Sequence, residues 1–288
     1  MDLYRELNNF DIYKDNTSYK QMNSDYTYKY VLPFEKIDNP KEITLFLQRN
    51  WIHTVTISII YYAVVRSIEY YLKDKPAYSL KKQLLYWNGS LAIFSILGFI
   101  RFSEDIIESL LNRGIYPSLC QSCHPNDVAA FWSLLFALSK IVELGDTLFI
   151  VLRKKPLIFL HYYHHAAVLI YTVHSGAEHT APGRAFISMN FMAHSFMYTY
   201  YAITAAGYKL PKWISMAVTT IQTTQMLVGV AISIIVYHIK SVYNWPCQQS
   251  YPNLYLAFLI YLTFAILFIQ FFYNAYFAKK TNKTKKTD

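Results

Sequence analysis

The sequence predicts an all-α polytopic membrane protein with seven transmembrane helices, and three observations carry that expectation. Of its 288 residues, 54% are hydrophobic and only 16% charged, whereas about a quarter of a soluble domain is charged. Seven apolar runs approach the ~20 residues needed to cross a hydrocarbon core. None shows strand-like alternation, and lipid demands a backbone that satisfies its own hydrogen bonds, which helices provide.

Residues 1–50 read as a solvated amino-terminal tail: they lack a signal-like apolar run and mix 7 Lys/Arg with 8 Asp/Glu. Spans are then expected at Trp51 to Leu72, Leu84 to Phe102, Val128 to Leu152, Leu157 to His174, Ala185 to Ala206, Trp213 to His238 and Leu254 to Phe277. Together they make one domain, 51–277, followed by a basic tail, 278–288.

Loop charge orients this bundle. The first, third and fifth loops and the carboxyl tail hold 4, 3, 2 and 5 Lys/Arg, against one in each of the other three loops. The positive-inside rule then places the carboxyl terminus in the cytosol and, with seven spans, the amino terminus in the lumen. The net charge of +9 is scattered in short clusters between apolar runs, unlike the stripe or face of a nucleic-acid binder, so no nucleic-acid partner is expected. Lys285 and Lys286, near the end of the chain, resemble a dilysine retrieval signal of the endoplasmic reticulum; a basic patch drawn to anionic lipid reads the same way.

All three cysteines, Cys120, Cys123 and Cys247, fall in loops on the lumenal side, where disulfides persist. Cys120 with Cys247 is the preferred pair, with free loop thiols as the alternative. Asn16-Thr17-Ser18 is a potential lumenal glycosylation site.

Ionisable groups inside spans point to function. The third span carries Lys140, Glu143 and Asp146, followed by Thr147, within roughly a 120° arc at about 100° per residue. The fourth opens with His161, His164 and His165 on one face. The fifth adds Asn190, His194, Tyr198 and Tyr201, and the sixth Thr219, Gln222 and Gln225, each set recurring every three or four residues. A single stripe is ordinary helix–helix hydrogen bonding, and Lys140 with Glu143 is also an ordinary i,i+3 ion pair. Four stripes together describe a polar cavity, and with this orientation it opens to the cytosol.

The segments Lys140-Ile-Val-Glu143-Leu-Gly-Asp146-Thr147, His161-Tyr-Tyr-His164-His165, Asn190-Phe-Met-Ala-His194-Ser-Phe-Met197-Tyr198-Thr-Tyr200-Tyr201 and Thr219-Thr-Ile-Gln222-Thr-Thr-Gln225 resemble, in order and spacing, the motifs of the ELO family of very-long-chain fatty acid elongases. The likeness runs from about Phe34 to Phe277. It implies a 3-oxoacyl-CoA synthase, an acyltransferase of the endoplasmic reticulum membrane that condenses acyl-CoA with malonyl-CoA and releases carbon dioxide and CoA. It further implies that six of the seven spans form an inverted barrel around an acyl tunnel. Leu157 to His165 and Ala202 to Met226 look most like the branch acting on saturated and monounsaturated medium to long chains. Membrane lipid, a second copy of the chain and other elongation-cycle enzymes are the expected partners, and no tightly bound cofactor is expected.

Soluble condensing enzymes carry the acyl group on cysteine, but every cysteine here is expected to be lumenal. Histidine is the credible replacement: His164 would form an acyl-imidazole, with His161 and His165 orienting it. His194, beside Asn190 and Tyr198, would assist proton transfer or stabilise an enolate. Lys140 would attract carboxylate or phosphate, Glu143 and Asp146 would hold the network, and Gln222 and Gln225 would donate hydrogen bonds. Arg153, Lys154, Lys155, Lys209 and Lys212 are the candidates for CoA phosphates.

Two rivals remain at this point. HxxHH also occurs in di-iron desaturases, with His174 and His179 as a second pair. Of the 9 histidines, however, His53, His124, His174, His179 and His238 lie at span ends or in loops, leaving four for a cage that needs more. No metal site is therefore expected. The other rival is a seven-span receptor or transporter, which would not turn over substrate.

Overall fold

The structure is a computed structural model that describes residues 2–13 and 22–278. Asn16 and the Lys285, Lys286 pair lie outside the described residues. The eleven described helices are α1 (Asp2–Leu7), α2 (Pro40–Asn50), α3 (His53–Tyr71), α4 (Lys81–Asn112), α5 (Ile115–Cys120), α6 (Val128–Glu143), α7 (Gly145–Leu152), α8 (Phe159–Glu178), α9 (Gly183–Ala205), α10 (Lys212–Ser241) and α11 (Tyr251–Tyr276). Among the described residues no strand forms beyond an isolated parallel bridge between Asn23 and Ser122.

Every expected apolar run is helical, but three boundaries move for physical reasons. α4 continues ten residues past Phe102 because its polar end is buried: Asp105 accepts from Ser24 Oγ at 2.7 Å and pairs with Arg184 at 2.8 Å. The third run breaks between α6 and α7 at Leu144. α8 runs on to Glu178 and stops at His179, whose positive φ of 53° ends the helix in a left-handed cap.

By length and composition alone, α10 and α11 can each cross a membrane, and α2 with α3, bent by 57°, can do so as a pair. The third run is divided into α6 and α7, of 16 and 8 residues, and others are diluted by polar groups, such as the histidines of α8 and Arg184, Asn190 and His194 of α9.

Neighbours follow one another in a circuit. α4 packs on α6 and α9, α9 on α10, α10 on α11, α11 on α8, and α8 back on α6, while α3 lies against α7 and α8. The α4–α9 contact is close because Gly98 sits under the Phe191 ring, where a Cβ would overlap it. Phe191 is itself surrounded by Phe94, Phe102, Trp132 and Phe136. The Cys120–Cys247 disulfide forms, joining the end of α5 to the segment before α11.

The amino-terminal segment departs from the solvated tail expected of it. Phe10 and Ile12 are buried, and Gln48 Nε2 donates to the carbonyls of Ile12 and Ala177, both at 3.1 Å. Apolar residues scattered through a polar stretch gave no periodic signal of this docking. Glu35, with 0% exposure, accepts from Arg101 Nε and Trp132 Nε1, both at 2.8 Å, from Arg101 Nη2 at 2.5 Å and from the Leu32 amide at 3.0 Å. Burial pushes this carboxyl's pKa upward, but the donors prevail and lower it from 4.5 to about 2.

A carboxyl depressed on folding stabilises the native state above its unfolded pKa, and the contribution is lost as pH falls through the folded value. Glu35→Gln, which leaves Arg101 only its longer pairing with Glu104 at 3.6 Å, should cost about 1–2 kcal/mol near neutral pH. Thermal melts of the detergent-solubilised protein should show the gap between wild type and variant closing between pH 4.5 and about 2.

Candidate active site

The first two turns of α8, the middle of α9, the α6–α7 break and α10 converge on a cavity of about 520 Å³. Its wall includes Asp146, His161, His164, His165, Asn190, His194, Tyr198, Tyr201, Gln222 and Gln225. Helical spacing explains the convergence, since residues three and four apart share one face.

Lys140 and Glu143 stand behind this wall. Lys140 is 3% exposed, and its Nζ donates to Glu143 Oε1 at 2.7 Å and to Asn190 Oδ1 at 3.0 Å, while also lying 4.1 Å from the Phe136 ring centroid. Glu143 Oε1 also accepts from Ser139 Oγ at 3.0 Å and lies 3.7 Å from His194 Nδ1. Lys140 thus holds the Asn190 amide in place, which differs from the direct attraction of substrate expected of it.

Asp146 is held from two sides, by Trp87 Nε1 at 2.6 Å and by the Tyr198 hydroxyl at 2.7 Å. Tyr198 in turn meets the His194 ring edge-on at 5.3 Å between centroids. Trp87 was not among the sequence candidates, because an aromatic residue in an apolar run carries no signal of its partner. Thr147, also buried, lies 2.9 Å from His161 Nε2 and 2.6 Å from the Tyr61 hydroxyl. Gln222 Nε2 donates to Met197 Sδ at 3.0 Å.

Among the described residues His164, like His165, makes ring contacts and no hydrogen bond. Its ring packs on Phe264 at 4.8 Å, Phe268 at 5.9 Å and His165 at 5.7 Å. His165 packs on His161 at 4.4 Å. A second cavity, of about 140 Å³ and largely apolar, shares His164, Asn190, Gln225 and Met226 with the first. Of these four, His164 alone offers a nucleophilic nitrogen.

The charged rim is smaller than the sequence suggested. Arg153 and Lys155 line the larger cavity, joined by Lys81, which charge counting had assigned only to a loop. Lys154 instead donates to the carbonyls of Lys73 at 2.8 Å and Lys75 at 2.7 Å. Lys209 and Lys212 do not line the cavity; Lys212 lies over the Tyr276 ring at 5.8 Å. Positive-inside charge distinguishes a side of the membrane but not a direction of approach, so these three lysines could not be excluded from sequence.

The second histidine pair of the di-iron reading is engaged away from the cavity. His174 engages the Leu7 carbonyl at 2.9 Å and Asn253 Nδ2 at 3.1 Å, and His179 Nε2 lies 2.8 Å from Thr44 Oγ1.

Residues 46–285 match the ELO: GNS1/SUR4 family. The chain belongs to the ELO family. Over 284 residues it is 57% identical to "Putative fatty acid elongase 4" of Caenorhabditis elegans, covering 99% of this chain and 97% of that protein. It is 38% identical over 253 residues to "Very long chain fatty acid elongase 6" of Mus musculus, covering 88% and 95%. It is also 38% identical over 247 residues to "Very long chain fatty acid elongase 3" of Homo sapiens, covering 85% and 91%.

In this ELO protein a glycine at the start of α7 makes room for Trp87. A Cβ at Gly145 would lie 2.7 Å from the Trp87 ring, so only glycine lets the indole reach Asp146. Gly145→Ala should displace Trp87, destabilise the fold by about 1–3 kcal/mol and shift tryptophan emission. Gly89→Ala, where a Cβ meets nothing within 4 Å, should leave both stability and emission near wild type.

Proposed function

We propose that this ELO protein is a fatty acid elongase, a 3-oxoacyl-CoA synthase that condenses a long-chain acyl-CoA with malonyl-CoA through an acyl-histidine on His164. The observation that carries this reading is the position of His164 at the junction of a polar cavity rimmed by Lys81, Arg153 and Lys155 and an apolar one. CoA and a fatty acyl chain demand those two environments, and the thioester carbon that joins them would fall at the junction.

In the first half-reaction a ring nitrogen of His164 attacks the thioester carbonyl. The new C–N bond forms as the C–S bond breaks, and CoA leaves with the proton lost by the ring. An imidazole packed against Phe264 and Phe268, with no hydrogen bond holding its ring, is open to this attack. In the second, malonyl-CoA loses carbon dioxide, and the electron pair released forms an enolate that attacks the acyl-imidazole carbonyl. The C–N bond breaks, giving 3-oxoacyl-CoA, and the departing ring nitrogen takes up one proton from solvent, which restores His164.

Asn190, fixed by Lys140, and His194, backed by Glu143 and Tyr198, supply the polar groups that stabilise enolate and oxyanion. The carboxylate of malonyl-CoA would leave from this same wall. Both substrates are CoA esters, and the scheme needs no tightly bound cofactor.

The remaining architecture belongs to the same proposal. The helices cross the membrane seven times, α6 and α7 together as one span, and six spans form an inverted barrel around the acyl tunnel. Its polar mouth faces the cytosol, the amino terminus lies in the lumen, and the terminal lysines retain the protein in the endoplasmic reticulum. The closed circuit of helix neighbours and the loop charges support this arrangement.

Purified protein given acyl-CoA alone should release about one equivalent of CoA per enzyme, and His164→Ala should abolish that release. Full condensation with both substrates, but no CoA release before malonyl-CoA is added, would overturn the covalent step.

A further inference from the structure

We propose that Arg184 and Thr180 build a hydrogen-bonding site in the smaller cavity, and that the enzyme extends acyl chains bearing a hydroxyl at or next to their terminal carbon; the proposal rests on the elongase reading above. The two ends of this cavity differ in chemistry. His164 lies at one. At the other, where α8 ends and α9 begins, the lining includes His179, Thr180, Gly183 and Arg184. At about 1.5 Å per residue, roughly 22 Å of α8 separates His164 from His179, so this end receives the tail of a chain whose thioester lies at His164.

Arg184 is 2% exposed, and both its terminal nitrogens are engaged. Nη1 donates to Asp105 Oδ2 at 2.8 Å, and Nη2 to the carbonyls of Pro117 at 2.6 Å and Ser118 at 3.1 Å. Its Nε–H is buried and, among the described residues, meets no acceptor. A buried donor left in that state is rare and costly. A methyl-ended tail does nothing for it, whereas a hydroxyl oxygen satisfies it.

Two further features select an alcohol. Asp105 already neutralises the guanidinium, so a carboxylate on the tail would bring a second, uncompensated negative charge into a buried place. A hydroxyl also has a proton to donate, and Thr180 can accept it: its Oγ1 shares one hydrogen bond with Ser175 Oγ and keeps a lone pair. Gly183 leaves this corner open, because a Cβ there would stand 3.2 Å from Thr180 Oγ1 and screen it.

The test is a competition between acyl-CoAs of equal carbon number, one methyl-ended and one with a terminal hydroxyl, extended with malonyl-CoA by the purified full-length enzyme across a range of chain lengths. Where the tail reaches Arg184, the hydroxylated chain should show about tenfold higher kcat/KM, the worth of one satisfied buried donor. Arg184→Lys keeps a cation for Asp105 but lacks the Nε–H, and should bring the two chains level or favour the methyl end. If that variant does not fold, Thr180→Val, which leaves the pairing of Arg184 with Asp105 intact, should lower the preference by about threefold. A chain ending in a carboxylate should be extended more slowly than either. No hydroxyl preference in wild type at any length, a full preference kept in folded Arg184→Lys or Thr180→Val, or a carboxylated chain that outcompetes the hydroxylated one overturns the site and leaves the elongase reading standing. Wild type that adds no carbons from malonyl-CoA to any acyl-CoA overturns both.

Discussion

The ion pair between Lys140 and Glu143 is the constraint on which the site depends. A charged ammonium among apolar helices is costly unless a counter-charge and hydrogen-bond acceptors surround it. Lys140 finds both, in Glu143 one turn on and in Asn190 across the interface. Satisfying the lysine thereby fixes α6 against α9 and holds the Asn190 amide in the cavity wall. Asp146 repeats the logic with Trp87 and Tyr198 and ties α7 to α4 and α9. In a low-dielectric interior such networks are oriented before any substrate arrives, which is what stabilising a short-lived anion requires.

With the polar wall held, the histidines divide the work. His161 is tethered through Thr147 to Tyr61, and His194 sits between Glu143 and Tyr198. His164 has aromatic neighbours instead of a tether. Its place at the meeting of two cavities of opposite character follows from its position on α8, whose first turns face the polar cavity and whose later turns continue along the apolar one. One helix thus places the proposed carrier between the two cavities.

Much of this was legible in the sequence because it is periodic. The four polar stripes identified the cavity wall, and apolar run length located the helices. What escaped was contact between elements without a shared period. Nothing in an apolar run marks Trp87 as the partner of Asp146, or Gly145 as the gap that admits it. The amino-terminal segment read as solvated because its buried residues, Phe10, Ile12 and Glu35, are separated by polar ones. Lysine counting was uninformative about direction: Lys81 reaches the cavity while Lys154 turns back to cap the Lys73 and Lys75 carbonyls.

The central claim is that His164 itself carries the acyl group between the two substrates. The most direct measurement is peptide mass spectrometry of enzyme rapidly quenched after mixing with acyl-CoA in the absence of malonyl-CoA. The account predicts an acyl mass increment on His164 that disappears when malonyl-CoA is added before the quench. An increment on another side chain that is consumed in the same way would contradict it, as would unmodified protein from a preparation that condenses both substrates at full rate.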